Sequence, residues 1–300
     1  MNIKIDKKEA EKLLKRATTA SVSVAITLIG LKTWGYIESG SVALFGTLLD
    51  SVMDTLSSIV IFAAVRLSMV PADEDHRFGH GKAEAIAGLL QAFVITATSF
   101  LLMFEVVDKV FNPRNIEKAN LGIGIIVTSI VLTMFLVSYQ KYVTRMTGSV
   151  AIEADGMHYT GDILLNIGVA ISLVLGGYFN IIYADPFFGG VACLYLLYSA
   201  YQVFVASTDV LMDKEMSEEE RKNILEIIRT HSAVVGIHEL RTRRSGLNIF
   251  IQFHMELEEN ISLHDAHIIS DQVEGKLMDV YQNSEVLIHA DPYDDGTGKV

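Results

Sequence analysis

The sequence predicts an α-helical membrane protein with six transmembrane helices, followed by a C-terminal cytoplasmic α+β domain of αββαβ order. Three observations predict it. Half of the 300 residues are hydrophobic and the mean hydropathy is positive, a profile foreign to a soluble domain. Six apolar stretches, at about 17–37, 41–69, 83–110, 119–141, 149–177 and 183–210, are each long enough to cross a ~30 Å hydrocarbon core. After Asp213 the pattern changes to short amphipathic elements. Residues 1–212 are therefore expected to form the membrane domain and residues 213–300 the cytoplasmic one.

The chain starts with a charged segment, MNIKIDKKEAEKLLKRA, which leads into a full-length span and is expected to be retained, not cleaved. Lys and Arg set the orientation. Lys4, Lys7, Lys8, Lys12, Lys15 and Arg16 precede the first span, Arg77 and Lys82 follow the second, and Lys141 and Arg145 follow the fourth. The opposite side carries Lys109, Arg114 and Lys118 in one loop, so both termini are expected in the cytoplasm. The short Glu38–Gly40 link makes the first two spans an antiparallel hairpin. Asn112-Pro113 and Asp185-Pro186 read as turn or helix-start signals. Gly122, Gly124, Gly176, Gly177, Gly189 and Gly190 read as packing positions. Trp34 and Tyr36 suit an interfacial belt.

In the tail, the stretch after Ser217 reads as an amphipathic helix with a serine cap and an acidic first turn. Two strands follow, joined at Ser245-Gly246, with Ile249, Ile251 and Phe253 alternating on one face. A second helix, SLHDAHIISDQVEGKLMDVYQ, and a strand, EVLIHADPY, complete the domain.

Chemistry concentrates in the second and fifth spans. Asp50 and Asp54 are four apart and so share one helix face, ~6 Å of rise from each other. An acid at bilayer depth costs roughly 3 kcal/mol on insertion scales, so a neutralising cation or protons are expected. His158 and Asp162 repeat that spacing. If the two spans enter from opposite sides, Asp50 and His158 lie ~13 Å deep and Asp54 and Asp162 ~20 Å deep. In a ~30 Å core the pairs meet, Asp50 facing Asp162 and Asp54 facing His158. Three carboxylates and an imidazole suit tetrahedral Zn²⁺.

Asp73, His76 and His80, in the loop after the second span, stand at spacings of three and four. They could bind a metal with water as a fourth ligand, or form a solvated polar loop; spacing does not choose. His238, His254, His267, His289 and Asp291 are spread over separate tail elements without zinc-finger spacing. They could converge only in the folded domain or between two copies of it. His231 and His264 read as bystanders. The single cysteine, Cys193, excludes a disulfide framework and a thiolate cluster, and reads as packing. The net charge of −12 argues against nucleic acid as a partner.

These residues carry a resemblance. Asp50-x-x-x-Asp54, the FGHGKAE loop at Phe78–Glu84, His158-x-x-x-Asp162, LRTRRSG at Leu240–Gly246 and IHADP at Ile288–Pro292 resemble the cation diffusion facilitator family, in particular its bacterial zinc- and iron-efflux members. The resemblance covers nearly the whole chain. It implies a proton-coupled homodimer in the bacterial inner membrane, with a metallochaperone-like tail. It implies that Asp50, Asp54, His158 and Asp162 hold the transported ion, and that Asp73, His76 and His80 form a loop site. It implies that His238, His254, His267, His289 and Asp291 form a binuclear regulatory zinc site with a bridging aspartate, Ala290 standing where some relatives carry Gln. Lys82 and Asp213 match an interlocking salt bridge.

With no Walker A sequence and no nucleotide-binding domain, an ion gradient or the membrane potential must drive transport. Metal binding requires ionised carboxylates and neutral imidazole, so metal and protons compete for one site. The expectation is a secondary antiporter, not an enzyme, that exports Zn²⁺, with Cd²⁺, Fe²⁺ and Co²⁺ as further cargo. The rivals are an exporter of Mn²⁺ or another metal, a non-transporting membrane metal sensor, and an ion-coupled carrier of small organic solutes.

Overall fold

In the computed structural model the described residues are 6–39, 42–112, 120–179, 181 and 183–293. The chain divides into two compact units at Thr208/Asp209.

The first unit holds long helices: α1 (Lys7–Ser39), α2 (Val42–Ser68), α3 (Ala83–Phe111), α4 (Asn120–Thr147), α5 (Val150–Phe179) and α6 (Ala184–Leu211). Helix α1 starts ten residues before the apolar stretch. Buried Ala10, Leu14, Ala17, Ser21, Ala25 and Leu28 recur every three or four residues, so the charged beginning belongs to the same helical stripe. Among the described residues, five helices, α1, α2, α3, α4 and α6, are long and apolar enough to cross a membrane. The Glu38–Gly40 link and the Asn112-Pro113 turn reach into 40–41 and 113–119, outside the described residues.

Large apolar side chains point outward along these helices, among them Phe93, Phe100, Phe104, Phe135 and Leu194. In water such a surface would drive association; against lipid it costs nothing. Hydroxyls within the helices bond to the carbonyl four residues back, as Thr55 does to Ser51, Ser99 to Ile95 and Ser172 to Gly168, which satisfies those groups without water. The buried face of α3 is built from small residues, Ala85, Ala87, Gly88 and Ala92, and it packs on α2 and α5. Cys193 is buried on α6, its thiol donating to the Ser99 carbonyl at 3.2 Å. Gly189 and Gly190 face Val106 at packing distance, whereas Gly124 faces open space. On α5, Gly161 and Gly168 face Leu196 and Phe188 of α6.

The second unit contains α7 (Glu218–Arg229), β1 (Gly236–Ser245), β2 (Asn248–Leu257), α8 (Leu263–Val280) and β3 (Ser284–Pro292). The sheet order is β1-β2-β3, with β1 antiparallel and β3 parallel to the central β2. Ser245 closes β1, and the turn falls on Gly246-Leu247, with Gly246 at φ +58°, a conformation only glycine adopts freely. Alternate residues of β2, Ile249, Ile251, Phe253, Met255 and Leu257, form the core with Ile224 and Ile228 of α7 and Ile269, Val273 and Leu277 of α8. That alternation leaves Gln252, His254 and Glu256 on the other face.

Candidate metal centres

The neighbours α2 and α5 bring the first candidate centre together. Ligand atoms of Asp54, His158 and Asp162 all lie within 4.8 Å of one another. His158 Nε2 is 2.9 Å from Asp54 Oδ1 and 3.9 Å from Asp162 Oδ2. His158 is buried and the two carboxylates are half-buried. Asp50 lies on α2 one turn before Asp54, but its side chain is outside the described residues.

The second group sits in the irregular stretch between α2 and α3. Asp73 is 3.4 Å from His76 Nδ1 and 3.4 Å from His80 Nε2. The two rings stand 4.6 Å apart. Backbone N–H groups of His76 and Asp75 donate to Asp73 Oδ1 at 2.6 and 3.1 Å. The His76 N–H bond, helped by the His80 and His76 rings, holds the Asp73 carboxyl below its ordinary pKa despite partial desolvation. Its acceptor oxygens are thus available across the neutral range.

The third group is made by sheet register. His238, His254 and His289 are direct partners across β1, β2 and β3, so the three imidazoles form one row. Their ring centroids lie 4.9 and 4.6 Å apart, the planes tilted against one another. Asp291, two residues beyond His289 on the same face, is 2.8 Å from His254 Nδ1, 3.4 Å from His238 Nε2 and 3.1 Å from His289 Nε2. The hydrogen bond from His254 lowers the Asp291 pKa most, with the three imidazoles adding to it against desolvation. His267 is exposed on α8 and pairs with Asp271 at 3.6 Å instead of entering this row. His231 bonds to Gln272 at 2.8 Å.

A donor set of imidazoles and carboxylates is what divalent zinc takes, and all three groups offer it. The family model described as the cation efflux transmembrane domain matches residues 18–212, and that of the cation efflux protein cytoplasmic domain matches 216–293. The chain belongs to the cation diffusion facilitator family. It is 42% identical over 279 residues to the cation-efflux pump FieF of Shewanella oneidensis, covering 93% of this chain and 94% of that one. It is 36% identical over 281 residues to the cation-efflux pump FieF of Salmonella choleraesuis, covering 94% and 93%. Among solved structures, the metal-bound C-terminal domain of the CzcD transporter from Thermotoga maritima is 26% identical, covering 26% of this chain and 94% of that one, with a TM-score of 0.24.

As a member of this family the chain is an integral membrane transporter, and several polar residues around its centres lie outside the candidate ligand sets named from the sequence. Asp155, wholly buried on α5, accepts hydrogen bonds from Ser21 of α1 and Gln140 of α4 at 2.6 and 2.7 Å. Its spacing from His158 and Asp162, three and seven residues, puts it on their face, the one signal that marks it. Glu84 at the start of α3 is buried between Ser68 of α2, at 3.0 Å, and Ser149 before α5. In the tail Glu256 stands 3.6 Å from His238 Nε2. Glu239 approaches His254 at 4.0 Å from a bulge, at φ +49°. Lys82 ends the loop at the start of α3 in one unit, while Asp213, in the other, pairs with Arg243 at 3.1 Å.

Proposed function

We propose that this transporter exports Zn²⁺ from the cytoplasm in exchange for protons, by alternating access around Asp50, Asp54, His158 and Asp162. One observation carries the reading: Asp54, His158 and Asp162, from two helices of the membrane unit, present ligand atoms within 4.8 Å of one another. Two carboxylates and an imidazole bind a divalent ion only when deprotonated, so loading the metal expels protons and protonation expels the metal. The imidazole ordinarily titrates nearest neutrality and is the natural proton carrier. Asp50, one turn away on α2, supplies the fourth ligand. Rocking of helix groups about this fixed site exposes it to either side. The relatives' description as cation-efflux pumps supports the outward direction.

The chain works as a homodimer in a bacterial inner membrane with both termini in the cytoplasm and six spans, α5 included. Asp73, His76 and His80 collect metal near the cytoplasmic mouth. His238, His254, His289 and Asp291 hold regulatory Zn²⁺, with His267 completing a second position. Zinc there would cross-link the tail strands, and it biases the spans only if it binds two arrangements with different affinity.

The test is Zn²⁺ uptake into proteoliposomes under a pH gradient, with metal and proton fluxes recorded together. Wild type should move both, and Asp54→Ala neither. Undiminished Zn²⁺ flux in Asp54→Ala would rule the site out.

A further inference from the structure

Three residues before His158 on α5 stands Asp155, a carboxylate that the proposed cycle does not use. It is 0% exposed. Three other helices bond to it. Ser21 Oγ of α1 and Gln140 Nε2 of α4 both donate to Oδ2, at 2.6 and 2.7 Å, whereas among the described residues Oδ1 receives only Ser58 Oγ of α2, at 3.4 Å. Ser58 Oγ is further shared, 3.0 Å from Ser21 Oγ and 2.9 Å from the Tyr159 hydroxyl of α5. One carboxylate oxygen is thus well served, and the other keeps acceptor capacity.

His158 has the complementary deficiency. Nε2 faces Asp54 at 2.9 Å and Asp162 at 3.9 Å, while Nδ1 is buried and finds no hydrogen-bond partner among the described residues. Metal bound through Nε2 leaves the neutral ring's one proton on Nδ1. A buried N–H without an acceptor is unfavourable, and metal-bound histidines nearly always hand that proton to a carboxylate, carbonyl or water. Positions i and i+3 of a helix are neighbours, about 5–6 Å apart at Cβ. Asp155 and His158 stand in that relation; their polar atoms are not bonded to each other here, so the contact forms by a side-chain adjustment when Nε2 takes the metal.

We propose that Asp155 is a positioning residue of the transport site. It accepts the Nδ1 proton of His158 and so fixes the tautomer that presents Nε2 to Asp54, Asp162 and the metal. The inference rests on reading Asp54, His158 and Asp162 as that site. Asp155 does not touch the metal; it acts through the ring. Ser21, Ser58 and Gln140 hold its carboxylate, so the register of α5 against α1, α2 and α4 is transmitted to the imidazole.

The test is the initial rate of Zn²⁺ uptake by the full chain in proteoliposomes, for wild type, Asp155→Asn, His158→Asp and the double variant. Asn keeps the volume of Asp, and the Gln140 amide, whose Oε1 has no partner among the described residues, can turn to receive the new NH₂. Asp155→Asn should raise KM for Zn²⁺ at least about tenfold with kcat within about twofold, the size of effect that outer partners of metal ligands exert. In the His158→Asp background the same change should move KM by less than about twofold, because the ring it acts through is gone. Equal KM effects in both backgrounds would make Asp155 a plain fastening between helices and overturn the proposal, as would an unchanged KM with His158 present. A second measurement needs no change at Asp155. In the ¹⁵N-labelled, Zn²⁺-loaded chain, the His158 Nδ1–H signal, assigned by its loss in His158→Asp, should exchange slowly and carry the shift of an imidazole bonded to a carboxylate; a freely exchanging N–H overturns the proposal. An indifferent Asp155→Asn beside an inactive Asp54→Ala would remove this inference and leave the transport site standing.

Discussion

His158 Nε2 and Asp54 Oδ1 stand 2.9 Å apart across 104 residues of sequence. Asp162 Oδ2 is 3.9 Å from the same nitrogen. Zinc bonds of ~2.1 Å in a tetrahedron put neighbouring ligand atoms about 3.4 Å apart. The two observed separations bracket that edge, so shifts of about 0.5 Å along each bring the imidazole and either carboxylate to the spacing of a coordination shell. Small shifts of this size are rotamer adjustments on fixed helices, not a rebuilding of the bundle.

Replacing the imidazole tests what the trio selects. His158→Asp turns a mixed nitrogen–oxygen set into an all-oxygen one, which favours harder cations such as Mn²⁺ over Zn²⁺. The Zn²⁺/Mn²⁺ ratio of uptake rates should fall by at least about tenfold, the lower range for disturbing a metal's immediate partners. Competition flux in proteoliposomes reads this directly, and an unchanged ratio would remove His158 from the selecting shell.

The two membrane pairs were legible because i, i+4 spacing is a property of one helix, and an acid inside an apolar run is conspicuous. The tail row was not: His238, His254 and His289 become neighbours only through strand register, which includes a bulge after His238 and a parallel β3. The sequence scatters these residues, and only the family resemblance collects them. Asp155 escaped for a different reason. Its partners Ser21, Ser58 and Gln140 are common residue types on three other helices, with no spacing to announce them. The early start of α1 was hidden by charge, since Lys8, Lys12, Lys15 and Arg16 flank the stripe of Ala10, Leu14 and Ala17 that buries it.

Asp291 titrates below its ordinary value of 3.8, chiefly because His254 donates to it. A carboxyl depressed in the folded state contributes stability above its unfolded pKa and loses it as pH falls through the lower folded value. His254→Ala should therefore move the Asp291 midpoint upward and bring the acid-induced loss of tail structure to higher pH. Carboxyl ¹³C titration of the aspartate-labelled chain measures the shift; no movement would mean that the other imidazoles carry the effect.

Helix α7 starts on a reciprocal cap: Ser217 Oγ accepts from the Glu220 N–H at 3.3 Å, and the Ser217 N–H donates to Glu220 Oε2 at 3.2 Å. Ser217→Ala should cost the tail about 1 kcal/mol and Ser217→Gly only a few tenths. Glu220 also receives Arg244. Burial alone would raise its carboxyl, but Arg244 and Ser217 together hold it below the ordinary 4.5. Its contribution is thus present above the unfolded pKa and fades as pH falls through the folded one. Melting of the tail at neutral pH and near pH 4 should show the Glu220→Gln penalty shrinking in acid, and a constant penalty would argue against the ion pair.

Gly161 supplies the sharpest link between packing and the metal centre, because it immediately precedes Asp162. A Cβ placed there would come within 2.2 Å of Leu196 Cδ2 on α6. Leu196 is itself buried, against Ile95 of α3 and Ala200 of α6, so its side chain has little room to withdraw. Gly161→Ala should therefore push α5 from α6 and carry Asp162 with it, costing about 1–3 kcal/mol as overpacking does. If the loss of flux comes from that clash, Gly161→Ala/Leu196→Ala should recover most of the Zn²⁺ transport that Gly161→Ala loses, although Leu196→Ala alone opens a cavity and is destabilising. Two single variants that are each harmful yet compensate in the double are the signature of direct contact. Uptake and melting temperature measured on all four chains would separate this from backbone flexibility at Gly161, for which Leu196→Ala would offer no rescue.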